Sequence, residues 1–395
     1  MEKEKRFEKM AVVHPHAAGI DIGSKSHWVA TGQTKEDVKE FGVYTEDLHA
    51  ICHHLKKHGV TSVAMESTGN YWKALFILLQ ANGFHVILVN GKYTKNVKGK
   101  KTDCLDCQWI QRLHSLGLLE GSFIPDNDTE KLKHLCRHRQ TLLEDAASYI
   151  PKMQKALRQT NIRLDNALND ITAVSGRAII EAIIEGHRDP DYLASLVDYR
   201  VRKSKEEIAK TLTGDWRDEY IFELKQSYEI YLYYHQKIAE CDKQIEAVLQ
   251  ERIGRDESDG KNLSTDSLKP KKRNKNEPKI NLQELSFQIT GGVDLSAIDG
   301  VGPNTLLTIL SEVGIDFSKF PTSKHFCSWL RVAPNNKITG GKIISSRMPK
   351  GKHRLKDALQ HVAVAIGFNQ KSGALHQFFK RIEYRKGKQA AILAT

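Results

Sequence analysis

Two short apolar runs near the start of the chain each end on an acidic residue. The run Ala-Gly-Ile-Asp ends on Asp21 and is followed by Ile-Gly, and the run Val-Ala-Met-Glu ends on Glu66 and is followed by Ser-Thr-Gly. Apolar runs of this length bounded by small turn residues are typical of strands. The pattern predicts an α/β sheet that presents two carboxylates where its strands end.

A second pair of acids, Asp103 and Asp106, begins a segment with helical character. Their spacing of three places them on one face of a helix. Four such acids suit a two-metal phosphoryl-transfer site, because such a site needs several hard oxygen ligands that converge on divalent cations. Carboxylates that lie so close together repel one another unless metal ions lie between them. The alternative is that Asp103 caps the helix and the other acids are solvated.

Helical and strand-like segments alternate around these acids. We predict a strand at 27–30 that pairs with the first, a helix at 45–58, a strand at 60–66, a helix at 70–82 and a central parallel strand at 84–89. With an acid on the first strand, this order predicts the ribonuclease H-like plan.

The composition limits the class of protein. Lys and Arg exceed Asp and Glu by 60 − 48 = 12, which favours a polyanionic partner such as nucleic acid. The sequence contains no apolar stretch approaching ~18 residues and does not begin with a signal peptide, so we expect a soluble, cytoplasmic protein without a membrane partner.

Six cysteines are scattered along the chain, as in proteins of a reducing compartment. Cys104 and Cys107 have the spacing of a zinc-binding pair, but no second pair stands at ligand spacing. We therefore expect free thiols.

Changes in pattern divide the chain into five parts. They are a flexible N-terminus at 1–17, the acid-bearing α/β domain at 18–127, a helical coiled-coil region at 128–253, a polar basic linker at 254–284 and a helical C-terminal domain at 285–395. Gly176, Gly186 and Pro190 are expected to separate the two long helices of the third part, which would form an antiparallel hairpin or coiled coil.

The C-terminal domain opens with Gly300-Val-Gly302 between two segments of helical character. This pattern predicts a helix-hairpin-helix, in which the glycines let backbone N–H groups approach a DNA phosphate. The same turn could also be a plain corner between helices.

Residues 335–354 are basic and rich in glycine and hydroxyl groups. A hydroxyl on a Gly-Gly turn among cations is suited to attack a phosphodiester, and equally suited to bind phosphate. The candidate hydroxyls and phosphate-binding cations of this stretch are Thr339, Ser345, Ser346, Lys342, Lys350, Lys352 and Arg354.

Together these motifs resemble the transposases of insertion sequence family 110 and the related Piv DNA invertases, recombinases guided by a bridge RNA. The segments that carry the resemblance run in family order over nearly the whole chain: 19–23, 65–71, 101–106, 300–302, 332–342 and 354–355.

The resemblance implies a RuvC-like N-terminal domain whose acids Asp21, Glu66, Asp103 and Asp106 bind Mg²⁺, with two ions in the site. It also implies a serine nucleophile in the C-terminal domain that links covalently to DNA. The implied partners are the DNA of the element ends and target, a structured guide RNA, and further copies of the chain in a homodimer or homotetramer. The implied location is the bacterial cytoplasm, in association with the nucleoid.

Two departures from the family pattern bear on activity. Thr339 stands where the family has the serine before Gly-Gly, so either Thr339 serves, or Ser345 or Ser346 replaces it, or this copy is impaired. Relatives continue through a further C-terminal helix beyond position 395.

The sequence thus predicts a metal-dependent DNA transposase that uses a hydroxyl nucleophile. The alternatives are a RuvC-like junction nuclease that uses water and forms no covalent intermediate, or an inactive nucleic-acid-binding remnant. A denaturant-resistant protein–DNA adduct distinguishes the first from the other two.

Overall fold

The computed structural model of the chain describes residues 10–94, 102–256, 263–266, 268–270, 273–369 and 373–395. The backbone forms two units, Met1–Ile124 and Pro125–Thr395. Within the described residues, no helix combines the length and apolar character that crossing a membrane requires. Residues 1–9 of the N-terminus predicted to be flexible, residues 95–101 and part of the linker predicted at 254–284 lie outside these residues.

A five-stranded sheet forms the centre of the first unit. Its strands are β1 (Ala17–Ile22), β2 (His27–Ala30), β3 (Val38–Phe41), β4 (Ser62–Glu66) and β5 (His85–Val89). They lie in the order β3-β2-β1-β4-β5. β1 pairs antiparallel with β2 and parallel with β4, and β4 pairs parallel with β5. The predicted α/β sheet and the predicted pairing of the strand at 27–30 with the first strand are confirmed.

Four helices accompany this sheet among the described residues. They are α1 (Thr45–Lys57), α2 (Trp72–Ala81), α3 (Gly91–Thr94) and α4 (Asp103–Ser115). The first two lie where helical spacing of apolar residues predicts them, and their apolar faces are buried in one cluster with Ile20 and Ile22 of β1.

The prediction that residues 84–89 form a central strand is wrong. β5 is an edge strand among the strands that the structure describes. Its apolar character has another cause, since the chain after α4 runs along this edge. Ser122 donates its backbone N–H to the carbonyl of Leu88 at 2.7 Å, and Ile124 packs against the same apolar cluster as Leu88.

Two long helices dominate the first part of the second unit. They are α5 (Asn127–Gln159) and, after the short helices α6 (Leu164–Ala167), α7 (Val174–Ile184), α8 (Pro190–Ser195) and α9 (Lys205–Thr211), the helix α10 (Asp218–Asp256). Ion pairs Lys131–Glu251 at 3.3 Å and Lys155–Glu223 at 3.7 Å show that the long helices are antiparallel.

The boundary between the long helices differs from the prediction. The first of them ends at Gln159, and Asn161 follows with a φ of 58°. Gly176 instead lies buried inside α7, and Pro190 begins α8. The short helices between them bury apolar side chains against the end of the long pair, so a small helical subdomain replaces the expected simple turn. Supercoiling of the pair stays a prediction.

The rest of the unit contains short helices and one hairpin. In chain order these are α11 (Leu282–Ile289), a 3₁₀ turn (Leu295–Ala297), α12 (Pro303–Glu312), α13 (Ser323–Trp329), β6 (Asn335–Thr339), β7 (Lys342–Arg347), α14 (Arg354–Phe368), α15 (Ala374–Lys386) and α16 (Lys388–Ala394). α11 and α12 share an apolar cluster with α5 and α10. This shared core places the helical pair and the C-terminal helices in one unit.

Candidate metal centre

Three of the four predicted acids come together in the first unit. The carboxylate oxygens that Asp21, Asp103 and Asp106 offer all lie within 4.8 Å of one another. Asp103 is exposed and the other two are partly buried. Three negative charges at this separation repel strongly unless a cation lies among them. Carboxylate oxygens are hard ligands, so the group suits a divalent cation such as Mg²⁺.

The start of α4 determines where two of these acids lie. Thr102 caps the helix, and its side chain accepts a hydrogen bond from the N–H of Leu105 at 3.3 Å. Asp103 and Asp106 therefore lie in the first turn, where the positive end of the helix dipole favours carboxylates. Since the cap is Thr102, the alternative that Asp103 is the capping residue is wrong.

Gly19 lets α4 lie directly on β1, two residues before Asp21. A Cβ atom at Gly19 would lie 2.2 Å from the backbone nitrogen of Gln111 and 2.4 Å from the carbonyl oxygen of Cys107. Both are backbone atoms of α4, so only the helix as a whole could make room. The contact sets the distance between the helix and the strand that carry the three acids.

Two glutamines fix α4 along its length. Gln111 is buried and donates to the carbonyl of Ala17 at 3.1 Å. Gln108 donates to the carbonyls of Gln33 at 3.0 Å and Thr34 at 2.9 Å, in the loop between β2 and β3. The two side chains hold the helix to β1 and to the loop between β2 and β3.

Glu66 lies beside the three acids but is not part of their group. Ile20 and Met65 face each other in the parallel pair of β1 and β4, so Asp21 and Glu66 occupy equivalent positions on neighbouring strands. The Glu66 carboxylate accepts a hydrogen bond from Thr94 Oγ1 at 2.8 Å. It also covers Gly91, where a Cβ atom would lie 2.2 Å from Oε1. Thr94 is thus a partner that the sequence motifs do not reveal.

The cysteines near the site are thiols, and the group of three acids contains none of them. Burial, the neighbouring Cys104 and the negative charge of Asp21 raise the pKa of the Cys107 thiol to about 12. A thiol with so high a pKa stays protonated at neutral pH. The result agrees with the prediction of free thiols.

The predicted hydroxyl residues lie on a hairpin in the second unit. β6 and β7 pair antiparallel across Gly340 and Gly341, whose φ values are 53° and 75°. Thr339 is exposed and faces Lys342 across the turn. The pattern of two strands was not predicted from the sequence.

The three candidate hydroxyls differ in position. Ser345 lies opposite Lys337, which shares a strand face with Thr339, whereas Ser346 lies opposite Asn336 on the other face. Thr339 and Ser345 thus point to the same side as two lysines.

The predicted helix-hairpin-helix differs in its first element, which is a 3₁₀ turn of three residues. Gly300 has a φ of 78°, and a Cβ atom there would lie 3.0 Å from the carbonyl oxygen of Val362 in α14. This glycine is therefore required for packing as well as for the turn. Gly302 caps α12, which begins at Pro303.

Two models of known families match the chain. Residues 18–162 match a family of the DEDD and IS110 type described as "Transposase", and residues 294–378 match the "Transposase IS116/IS110/IS902 family". No curated protein shows significant similarity to the chain. The first match contains all four acids and the second contains Thr339 and the basic hairpin. The chain belongs to the IS110 family of transposases, which act on DNA.

Proposed function

We propose that this transposase cleaves and rejoins DNA strands at the ends of its mobile element, with Mg²⁺ bound by the acids of the first unit and with a threonine as nucleophile. The observation that carries the proposal is the convergence of Asp21, Asp103 and Asp106, three carboxylates whose mutual repulsion a bound divalent cation would relieve. The match of both units to transposase families supports DNA as the substrate.

The described residues suggest how the ions are shared. Asp21, Asp103 and Asp106 would hold one ion, and Glu66 with Asp21 would hold a second after the bond from Thr94 is exchanged. When bound, Mg²⁺ supplies positive charge against the scissile phosphate. The acids themselves would hold the ions and thereby orient the DNA backbone at the carboxyl ends of β1 and β4.

We assign the nucleophile to Thr339. Attack of its Oγ1 on phosphorus forms a threonyl phosphodiester, breaks the bond to the deoxyribose oxygen and releases that oxygen as a hydroxyl group. The hydroxyl proton passes to a base and the leaving oxygen gains a proton. Lys337 and Lys342 lie on the same face of the hairpin and would stabilise the negative charge of the transition state.

Thr339→Ser should raise the rate of strand cleavage, because loss of the methyl group relieves crowding while the hydroxyl remains. Thr339→Val keeps the shape without the oxygen and should abolish the covalent adduct. The measurement is the yield of denaturant-resistant protein–DNA adduct on a labelled duplex of the element end.

Serine variants provide the controls for this assignment. Ser346→Ala alters the opposite face and should leave the adduct intact. If Thr339→Val keeps the adduct while Ser345→Ala removes it, Ser345 is the nucleophile and our assignment is wrong.

We further propose that the basic hairpin, its downstream segment and the Gly300–Gly302 turn bind the DNA backbone. Residues 335–354 contain six Lys and Arg and no Asp or Glu: Lys337, Lys342, Arg347, Lys350, Lys352 and Arg354. A cluster of this composition is an electrostatic site for phosphates.

DNA affinity should therefore fall steeply with salt. If all six cations neutralise phosphates, the plot of log Kobs against log salt has a slope of about −5. Lys352→Gln should reduce the magnitude of this slope by about one, measured by fluorescence anisotropy with a labelled duplex. A slope near zero for the wild-type protein would rule out a phosphate-binding role for this segment.

Guidance by a structured RNA, assembly into a dimer or tetramer, and action at the bacterial nucleoid complete the proposal. They follow from membership of the family rather than from contacts within the chain. Co-purified RNA and the mass in solution test the first two.

A junction nuclease that uses water is the second candidate. It is favoured by one observation, that the three converging acids belong to a single unit and need no hydroxyl from the other. Such an enzyme would nick DNA in the presence of Mg²⁺, and Thr339→Val would not reduce nicking.

A further inference from the structure

The hairpin of β6 and β7 exposes apolar side chains to solvent. Ile338 is 60% exposed, Ile343 is 60% exposed and Ile344 is 68% exposed. Isoleucines with this exposure are unusual in a strand pair, where one face is normally buried. The hairpin therefore offers an apolar surface suited to a binding partner.

The pairing of the strands brings the three isoleucines together. Ile338 and Ile343 face each other, next to the turn at Gly340 and Gly341. The register shifts between Lys337 and Ile338, which leaves Ile344 as the extra residue of a β-bulge. A bulge puts two neighbouring side chains opposite one residue, so the three isoleucines form one apolar knob near the tip.

The base of the hairpin is held firmly. Arg331, before β6, donates from Nη1 to the carbonyl of Lys350, after β7, at 2.9 Å. Lys356 of α14 donates to the carbonyl of Arg331 at 3.4 Å, and the rings of Trp329 and His353 lie 4.4 Å apart. Gly351 leaves the space that the Arg331 guanidinium occupies. A fixed base and an exposed tip make the hairpin an arm.

The charge around the knob identifies the kind of partner. Lys337, Lys342 and Arg347 lie on the same two strands, and no Asp or Glu occurs between Asp316 and Asp357. The pairing puts these three cations on the face of the hairpin opposite Ile338 and Ile343. An arm with an apolar knob on one face and cations on the other is complementary to duplex DNA, which has phosphates outside and stacked apolar bases inside. A second protein surface would need many acidic groups around an apolar pocket to match it.

We propose that Ile338, Ile343 and Ile344 form a wedge that enters a groove of duplex DNA and partly unstacks one base step. The proposal rests on DNA being the substrate and adds a way in which the enzyme deforms it. Apolar wedges on proteins that bend DNA act in this manner, and the cations of the same arm hold the flanking phosphates. Thr339 follows Ile338 directly and points to the opposite face of the hairpin, so a wedge inserted at the tip would open the backbone next to the nucleophile.

The test uses the full-length protein and an element-end duplex in which 2-aminopurine replaces adenine at successive positions. Wild-type protein at saturation should raise 2-aminopurine fluorescence several-fold at one step. The double variant Ile343→Ser/Ile344→Ser should bind the duplex and lose this rise. Ile77→Ser is the matched control, since Ile77 is 53% exposed on α2 and lies in the other unit.

Cleavage separates this proposal from the proposed function. The double variant should cleave a fully paired duplex more slowly than the wild-type protein does. A two-base mismatch at the step where 2-aminopurine responds should restore most of the lost cleavage rate. A wild-type protein that cleaves DNA without any fluorescence rise overturns the wedge and leaves the proposed function standing. A fluorescence rise that the double variant retains also overturns it, as does a response to single-stranded RNA that exceeds the response to duplex DNA. A variant that changes only the sedimentation of the protein would show that the knob contacts another copy.

Discussion

Replacing Asp103 by Asn is expected to abolish Mg²⁺-dependent strand cleavage while the fold is retained. Loss of a residue that merely supports a metal ligand costs about 10- to 100-fold, so loss of a direct ligand should cost more than about 100-fold. The helix itself should survive, because its cap is Thr102 and the Asp103 side chain is exposed. Cleavage of a labelled duplex and the midpoint of urea unfolding measure the two effects.

Glu46→Gln is a suitable control for this variant. Glu46 lies in the first turn of α1, as Asp103 lies in the first turn of α4, and it is also exposed. It should lose the same charge without losing activity, since it is not in the metal-binding group. Full cleavage by Asp103→Asn would contradict a metal centre formed by Asp21, Asp103 and Asp106.

Replacing Gly19 by Ala should have the second large effect, on stability and on the metal centre together. The new methyl group would lie 2.2 Å from one backbone atom of α4, 2.4 Å from another and 2.7 Å from a third. Because no side chain can rotate to relieve these contacts, overpacking should cost about 3 kcal/mol. The helix must also move away from β1, so affinity for a divalent ion should fall as well. Urea unfolding and a metal titration measure the two losses.

Gly254→Ala provides the comparison. Gly254 lies near the end of α10, and a Cβ atom there would meet nothing within 4 Å. Its replacement should leave stability unchanged or raise it slightly, because Ala favours helix more than Gly does. If Gly19→Ala were as stable as the wild-type protein, α4 could not lie where the structure has it.

Local pattern accounts for much of the first unit. The sequence predicts α1 and α2 from the helical spacing of their apolar residues, and β1 and β4 from their apolar runs. Both patterns involve residues that are close together in the sequence. β3 escaped prediction because Val38-Lys39-Glu40-Phe41 is short, half polar and exposed in its middle. The edge position of β5 was not predicted, because an apolar run indicates that a strand is buried but not which part of the chain buries it.

Some features of the metal centre can be predicted from local sequence pattern and others cannot. The pairing of Asp103 with Asp106 follows from helical spacing, whereas Gly19 and Gln111 meet across 92 positions of the chain, which no local pattern records. The hairpin carried a signal that could have been used. Gly-Gly between two runs containing isoleucine is a hairpin turn signature, and both glycines adopt the positive φ that such a turn requires.

The most direct test of the metal centre is a titration with Mn²⁺, observed by electron paramagnetic resonance, with strand cleavage measured in the same samples. We expect the wild-type protein to bind Mn²⁺ saturably and to cleave DNA in proportion to the bound ion. Asp21→Asn should lose both, because Asp21 is the acid that faces the helical pair from β1. If Asp21→Asn binds Mn²⁺ and cleaves DNA as the wild-type protein does, the three acids do not form the metal centre.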